Sequence, residues 1–327
     1  MRYGLSYKGS KNALVEKFIP LFPKRTNFYD LFCGGCAVTH AAMLSGRFQN
    51  FTINDIDPLL PQLFWDAVHG KYRNGNRWIS REDFLNLKDS DGYVKLTWSF
   101  GNNGSGYLYG KPIEAYKKAI HYLIFFRDTS LILEVLKDRI GDTERFLIDE
   151  IAKSEKPRKD RYHMWRAVFR DQLQSLESLK SLENLESLKS LESLERLERL
   201  ERLESLESLE RLERLNKSYD EIEIKPDSLI YCDIPYRNTN EYNEDGFNHD
   251  KFYEWALRQK ELTLISEYNM PESDFKCVAE FEKRCTLSAS ANNLSIERLF
   301  VPKTQLDLWL PLKIEVKRYK QLEFNFD

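Results

Sequence analysis

The chain has 327 residues, 42% of them hydrophobic and 31% charged, with a formal net charge of -3. That apolar share excludes a fully disordered chain, and no apolar run reaches the roughly 18 residues that a membrane-spanning helix requires. Five cysteines, an odd number at this length, do not make a disulfide framework. The length suits one large α/β domain carrying a substantial insertion. The basic start MRYGLSYKGSKN has no apolar stretch behind it suited to a secretory signal, so a reducing cytoplasm is expected.

Residues 171–215 hold twelve acids against seven bases, a balance of -5 that leaves +2 for the rest of the chain. Local charge governs an encounter with phosphate, so the overall sign excludes no nucleic-acid partner.

In chain order, residues 27–32 (NFYDLF) read as a short buried strand that enters the turn Cys33-Gly34-Gly35-Cys36, and residues 37–44 read as a helix. Strand, glycine turn and helix form the first unit of a Rossmann-type sheet, where backbone N–H groups and a helix N-terminus face a ligand. A second run, 50–53, leads into Asn54-Asp55-Ile56-Asp57-Pro58. An acid at the end of the second strand is where such folds hold ribose hydroxyls. Alone, the same residues also suit a plain strand–turn–helix corner. Cys33 and Cys36 form a single CxxC without a second pair or a suitably spaced His, so no metal site is expected.

Residues 94–111 (VKLTWSFGNNGSGYLYGK) mix aromatics with Gly, Asn and Ser, a composition suited to wedging into DNA or reading base edges through Asn102 and Asn103, or to a loop resting on its own aromatics. Residues 153–170 carry seven bases against two acids, interleaved with Tyr162 and Trp165. Lys156, Arg158, Lys159 and Arg161 are the candidates there for phosphate contact, with a solvated helix face as the plain alternative.

From Leu173 to Leu215 a leucine falls at every third position. Composition predicts helix, supported by i,i+4 pairs such as Glu195 with Arg199 and Glu198 with Arg202. Three residues advance a helix by about 300°, so the leucines circle it and leave no constant apolar face. A projecting or broken helix, a leucine-lined solenoid and an expanded insertion all remain open, each with a structural or spacer role. Residues 228–233 (SLIYCD) then read as a buried strand ending in Asp233-Ile234-Pro235-Tyr236, a carboxylate, a backbone carbonyl, a stiffened turn and an aromatic face. A polar loop at 240–246, a helix from His249 to Arg258, a strand at 262–266 and hairpin-like runs around Cys277, Thr286 and 299–301 complete the chain.

The ordered set Tyr7-Lys8-Gly9-Ser10-Lys11, Asp30-Leu31-Phe32-Cys33-Gly34-Gly35, Asn54-Asp55, a long insertion and Asp233-Ile234-Pro235-Tyr236 resembles the Dam-like (D12 class) N6-adenine DNA methyltransferases. The resemblance covers the chain outside residues 70–218 and implies a Rossmann-like class I methyltransferase sheet. It divides the chain into a catalytic domain of 1–69 and 219–327, a largely helical target-recognition insertion at 70–172 and a leucine-rich triplet-repeat insertion at 173–218. It implies S-adenosyl-L-methionine as cofactor, held by Tyr7, Lys11, Asp30, Phe32, Cys33, Gly34, Gly35, Asp55, Ile56 and Asp233. It also implies double-stranded DNA as partner, neither membrane nor metal, a monomer or weak dimer, and the cytoplasm of a bacterial or phage-infected cell. Asp233, Ile234, Pro235 and Tyr236 would act on a flipped-out adenine, with GATC as the recognition sequence suggested by the family. Two departures stand out: Cys36 occupies the second glycine position of FxGxG, and Ile234 replaces the first proline of DPPY. Both are expected to be tolerated, since cysteine is small and the main-chain carbonyl is retained.

Two other readings compete. A nicotinamide-dependent oxidoreductase would need GxGxxG after the first strand, which Gly34-Gly35-Cys36 does not supply. A decayed methyltransferase body serving as an interaction protein would be built around the leucine repeat.

Overall fold

The computed structural model describes residues 3–5, 9–73, 75–169, 192–206, 211–237, 247–284 and 294–309. Tyr7, the repeat up to residue 191, the 240–246 loop and the run around Thr286 lie outside the described residues. The chain forms two compact units, Met1–His69 with Ser205–Asp327, and Gly70–Glu204.

The first unit is built on one seven-stranded sheet of order β3-β2-β1-β4-β5-β7-β6. Its strands are β1 (Asn27–Asp30), β2 (Asn50–Asn54), β3 (Leu212–Leu215), β4 (Ser228–Asp233), β5 (Leu262–Glu267), β6 (Phe275–Arg284) and β7 (Leu294–Pro302). Pairings from β3 through β5 are parallel, whereas β7 runs antiparallel to both of its neighbours. Parallel strands are covered on both faces, which explains why β1 and β5 are buried at every position. Alternation along β4 sends Ile230, Cys232 and Ile234 into a core with Phe252, Trp255 and Ile265. Tyr231 and Asp233 therefore point to the other face, as do Phe28 and Asp30 of β1. Helices α1 (Val15–Phe18), α2 (Ala37–Leu44) and α3 (Leu59–Val68) also belong to this unit.

The second unit is helical across its described residues, with α4 (Arg81–Leu87), α5 (Gly92–Thr97), α6 (Lys111–Phe126), α7 (Ser130–Leu136), α8 (Asp142–Lys153), α9 (Arg158–Phe169) and α10 (Glu192–Leu203). Helix α11 (His249–Arg258) belongs to the first unit and matches the sequence expectation.

The end of the leucine repeat departs from expectation in one respect. Its last triplets form β3, where helix was expected, with Phe51 opposite Leu212 and Asn54 opposite Leu215. The open edge of β2 offers a row of backbone groups, and pairing with them outweighs a modest local helix preference. Of the structural and spacer roles left open, α10 fills the structural one. Leu194, Leu197, Leu200 and Leu203 are 2%, 0%, 4% and 1% exposed, so leucines spread over an arc of about 180° are all inside. Arg196 caps this integration, its Nη1 donating to the carbonyls of Thr97 and Ser99, both at 2.8 Å.

Candidate active site

The neighbours of β1 are β2 on one side and β4 on the other. Loops leaving β1 and β4 diverge at such a switch point and open a crevice outside the carboxyl ends of the strands. The glycine turn after β1, the acidic turn after β2 and Asp233-Ile234-Pro235-Tyr236 after β4 all lie at these ends.

Tight local geometry shapes the glycine turn. Gly34 has φ +44°, and Cys36 sits at the N-cap of α2 in the left-handed region, φ 55° and ψ 32°. A side chain there costs about 1–2 kcal/mol relative to glycine, the physical reason for a glycine preference at this position. The N-terminal segment lies directly on the turn. Leu5 N donates to Gly35 O at 2.7 Å, and a Cβ on Gly4 would sit 2.3 Å from that oxygen, so only glycine fits. Gly4 N also donates to His40 Nδ1 at 2.9 Å. Burial pushes the Cys33 and Cys36 thiols up, which leaves them protonated packing groups.

Asp55 ties the two turns together. Its Oδ2 accepts from Gly34 N at 2.8 Å and its Oδ1 from Asp57 N at 3.0 Å. Burial raises its carboxyl, and these N–H groups oppose the rise. Beside it Ile56 is 77% exposed. Asn216, immediately after β3, holds this turn by donating to the carbonyls of Asp55 and Ile56 at 2.8 and 3.1 Å. Phe32 packs against the rings of Tyr219, Phe247 and Phe252. Asp30 lies beneath the turn, fully buried; Thr39 Oγ1 donates to its Oδ2 at 2.6 Å. Its Oδ1 has no partner, and burial pushes the carboxyl up to about 7.

The third turn holds a dense charge cluster. Lys11, almost fully buried, places Nζ 2.7 Å from Asp233 Oδ1, 3.3 Å from Glu297 Oε1 and 2.5 Å from the Tyr236 hydroxyl. Burial alone would lower the lysine, but the two carboxylates outweigh it and hold the ammonium above its ordinary value. Asp233 is raised by burial, and Glu297 adds to the rise while Lys11 opposes it. The Tyr236 hydroxyl also contacts Glu297, which accepts from Ser266 Oγ at 2.7 Å. Tyr268 packs edge-on with the Tyr236 ring, centroids 4.5 Å apart. His249 Nε2 lies 2.8 Å from Pro235 O, so an Nε2–H donates to that carbonyl and steadies the turn. Burial of the Ile234 side chain in the core gives the substitution for proline a packing role. Nearby, Glu267 accepts from Arg237 N and Tyr268 N, and burial pushes its carboxyl up to about 7.

Residues proposed from sequence in the second unit fare unequally. Asn103 Oδ1 is occupied by Ser105 N and Oγ, at 2.9 and 2.7 Å. Asn102 has φ 55° and its Oδ1 is buried without a partner. Phe100 in the same loop is 72% exposed. Lys156 and Lys159 are exposed. Arg158 instead braces Gly75 O at 3.0 Å and Glu201 at 2.5 Å, and Arg161, 5% exposed, donates to Lys156 O and Ile124 O. These two arginines, expected to face phosphate, turn inward to carbonyls that need donors: Gly75 O for Arg158, and for Arg161 both Lys156 O and Ile124 O, the latter in the last turn of α6.

Sequence reasoning missed Glu267, Ser266 and Glu297. The first two were signalled by polar residues closing the buried run of β5. Glu297 had only alternation in its favour, as an acid at an inward position of β7.

A mixed α/β sheet of this order, with one antiparallel strand, a glycine turn at its switch point and an acid-ended second strand, fits a Rossmann-like fold and is consistent with a methyltransferase. The chain matches the family model for the D12 class N6 adenine-specific DNA methyltransferase over residues 7–277 and belongs to that family. The family supports methyl transfer to N6 of adenine in DNA as its activity and does not favour the oxidoreductase and decayed-enzyme readings. Enzymes of this kind draw the methyl group from S-adenosylmethionine. Among the described residues no helix is long and apolar enough to cross a membrane.

Proposed function

We propose that the crevice at the switch point is the methyl-transfer site and that it acts on an adenine turned out of duplex DNA. The carrying observation is the convergence of Lys11, Asp233 and Tyr236 at the end of β4, next to the strand that delivers the glycine turn. The residues present suit S-adenosyl-L-methionine. Exposed Ile56 offers an apolar surface for its adenine, Asp55 retains lone pairs for ribose hydroxyls, and the surrounding carboxylates favour a cationic sulfonium. Phe32, Cys33, Gly34 and Gly35 would line its path, with Asp30 supporting them from below. When bound, this cofactor supplies an electrophilic methyl group and leaves as a neutral thioether.

The chain's own residues do the rest. The target amine has its lone pair delocalised into the ring and is a poor nucleophile. Asp233 and the Ile234 carbonyl accept its two hydrogens, which favours a pyramidal nitrogen with the lone pair directed outward. Pro235, anchored by His249, keeps that carbonyl in place, and the Tyr236 ring provides a stacking surface. Orientation and electrostatics thus account for the acceleration.

In the second unit, the exposed Phe100 supports a wedge role for the 98–107 loop, assisted by Asn102 and Asn103. Exposed Lys156 and Lys159 suit phosphate contact, while Arg158 and Arg161 would support the surface that carries them. Single-molecule sequencing of DNA from cells expressing the protein tests the reading and reports the recognition sequence. Modified adenine in one short motif is expected, and Asp233→Ala should abolish it while cofactor binding persists. Undiminished methylation in that variant refutes the assignment.

A further inference from the structure

Glu297 lies on β7, beyond the residues 7–277 that the family model matches, and is 2% exposed. Its Oε1 accepts from Ser266 Oγ at 2.7 Å, stands 3.3 Å from Lys11 Nζ and contacts the Tyr236 hydroxyl. Asp233 takes the same ammonium at 2.7 Å. Two carboxylates, one buried and one partly exposed, therefore share one almost fully buried lysine.

Sharing has a chemical consequence for Asp233. A carboxylate offers about four lone-pair sites, and each one committed to Lys11 is lost to a substrate amine. An ammonium with a single buried counter-ion is held tightly by it, because charge attraction strengthens as water is excluded. A second carboxylate divides that attraction. We propose that Glu297 is a positioning residue of the methyl-transfer site: by carrying part of the Lys11 charge, it leaves Asp233 open to a hydrogen from the target amine. This rests on the methyl-transfer reading above and adds no covalent step. Glu297 acts through Lys11 and Tyr236 and does not touch the substrate.

The groups that face Asp233 are Lys11 from the N-terminal segment, Tyr236 from its own turn and Glu297 from β7, with Asp30 of β1 and Glu267 of β5 as further acids. Glu297→Gln retains shape and an oxygen for Ser266 but removes the charge. Cofactor affinity should be unchanged, kcat should fall on the order of 10²-fold, and the acid limb of the kcat–pH profile should move to lower pH. The direction follows because Asp233 loses a like-charged neighbour and gains undivided attraction from Lys11. Parent-like kcat with an unmoved acid limb overturns the proposal, and so does a loss of cofactor affinity that matches the loss of rate. If the glutamine variant does not fold, Glu297→Asp carries the test, since it keeps the charge and shortens the reach. Reduced kcat at an unshifted acid limb supports the proposal, and parent-like kcat overturns it. The parent protein is assayed in parallel, so absence of any DNA methylation would count against the reaction itself and be told apart from failure of the Glu297 assignment.

Discussion

Leu197→Ala separates a structural role for the end of the leucine repeat from a spacer role. Leu197 is 0% exposed, on a helix whose neighbouring leucines Leu194, Leu200 and Leu203 are also inside the second unit. Truncation removes buried methyl groups and leaves a cavity in a helix held on more than one side, by Arg196 at one place and the Arg158–Glu201 pair at another. Little collapse is available, so a loss of about 2–5 kcal/mol is expected. Leu212→Ala, at a half-buried position of the edge strand β3, should cost about 1 kcal/mol or less. Two compact units need not unfold together, so a single optical transition would be hard to interpret. Urea unfolding read by hydrogen exchange of peptides from each unit gives separate midpoints. The Leu197 variant should shift the midpoint of peptides from residues 75–169 and leave sheet peptides nearly unmoved. A change below about 0.5 kcal/mol, the range typical of surface substitutions, would refute the claim that α10 is core.

Two further outcomes follow from the crevice. Asp55→Ala should weaken S-adenosylmethionine binding much more than DNA binding, because it removes the carboxylate and frees Gly34 N–H from its partner; parallel calorimetric titrations check this, and the reverse order would mean that the turns have been assigned wrongly. Asp30→Asn concerns pH. The folded carboxyl is raised from 3.8 to about 7, so between those values the folded state binds more protons than the unfolded one and stability falls as pH rises. The isosteric amide removes that dependence, so the melting temperature of the variant relative to the parent should climb from pH 4 to pH 8. A difference that stays constant with pH would show that Asp30 does not titrate in this window.

Much of the site was legible because its signals are local. Apolar runs at 27–32, 228–233 and 262–266 became β1, β4 and β5, and the glycine turn, Asp55 and Asp233 all fell at strand ends in the expected order. Periodicity and turn chemistry act within a few residues, so they can be read without knowing what surrounds them. The same triplet pattern, by contrast, yields a buried helix at 192–203 and a strand at 212–215, because the available partner differs: a helical core in one case and the open edge of β2 in the other.

The amino-acid sequence by itself determined which segments carry chemistry and the order in which they occur. Only the tertiary structure decided which charges meet. Lys11 finds Asp233 and Glu297, more than 200 residues away, and Arg158 and Arg161 turn inward to satisfy carbonyls. Buried charges must be paired wherever chain closure brings them, and that requirement leaves no trace in a short window of sequence.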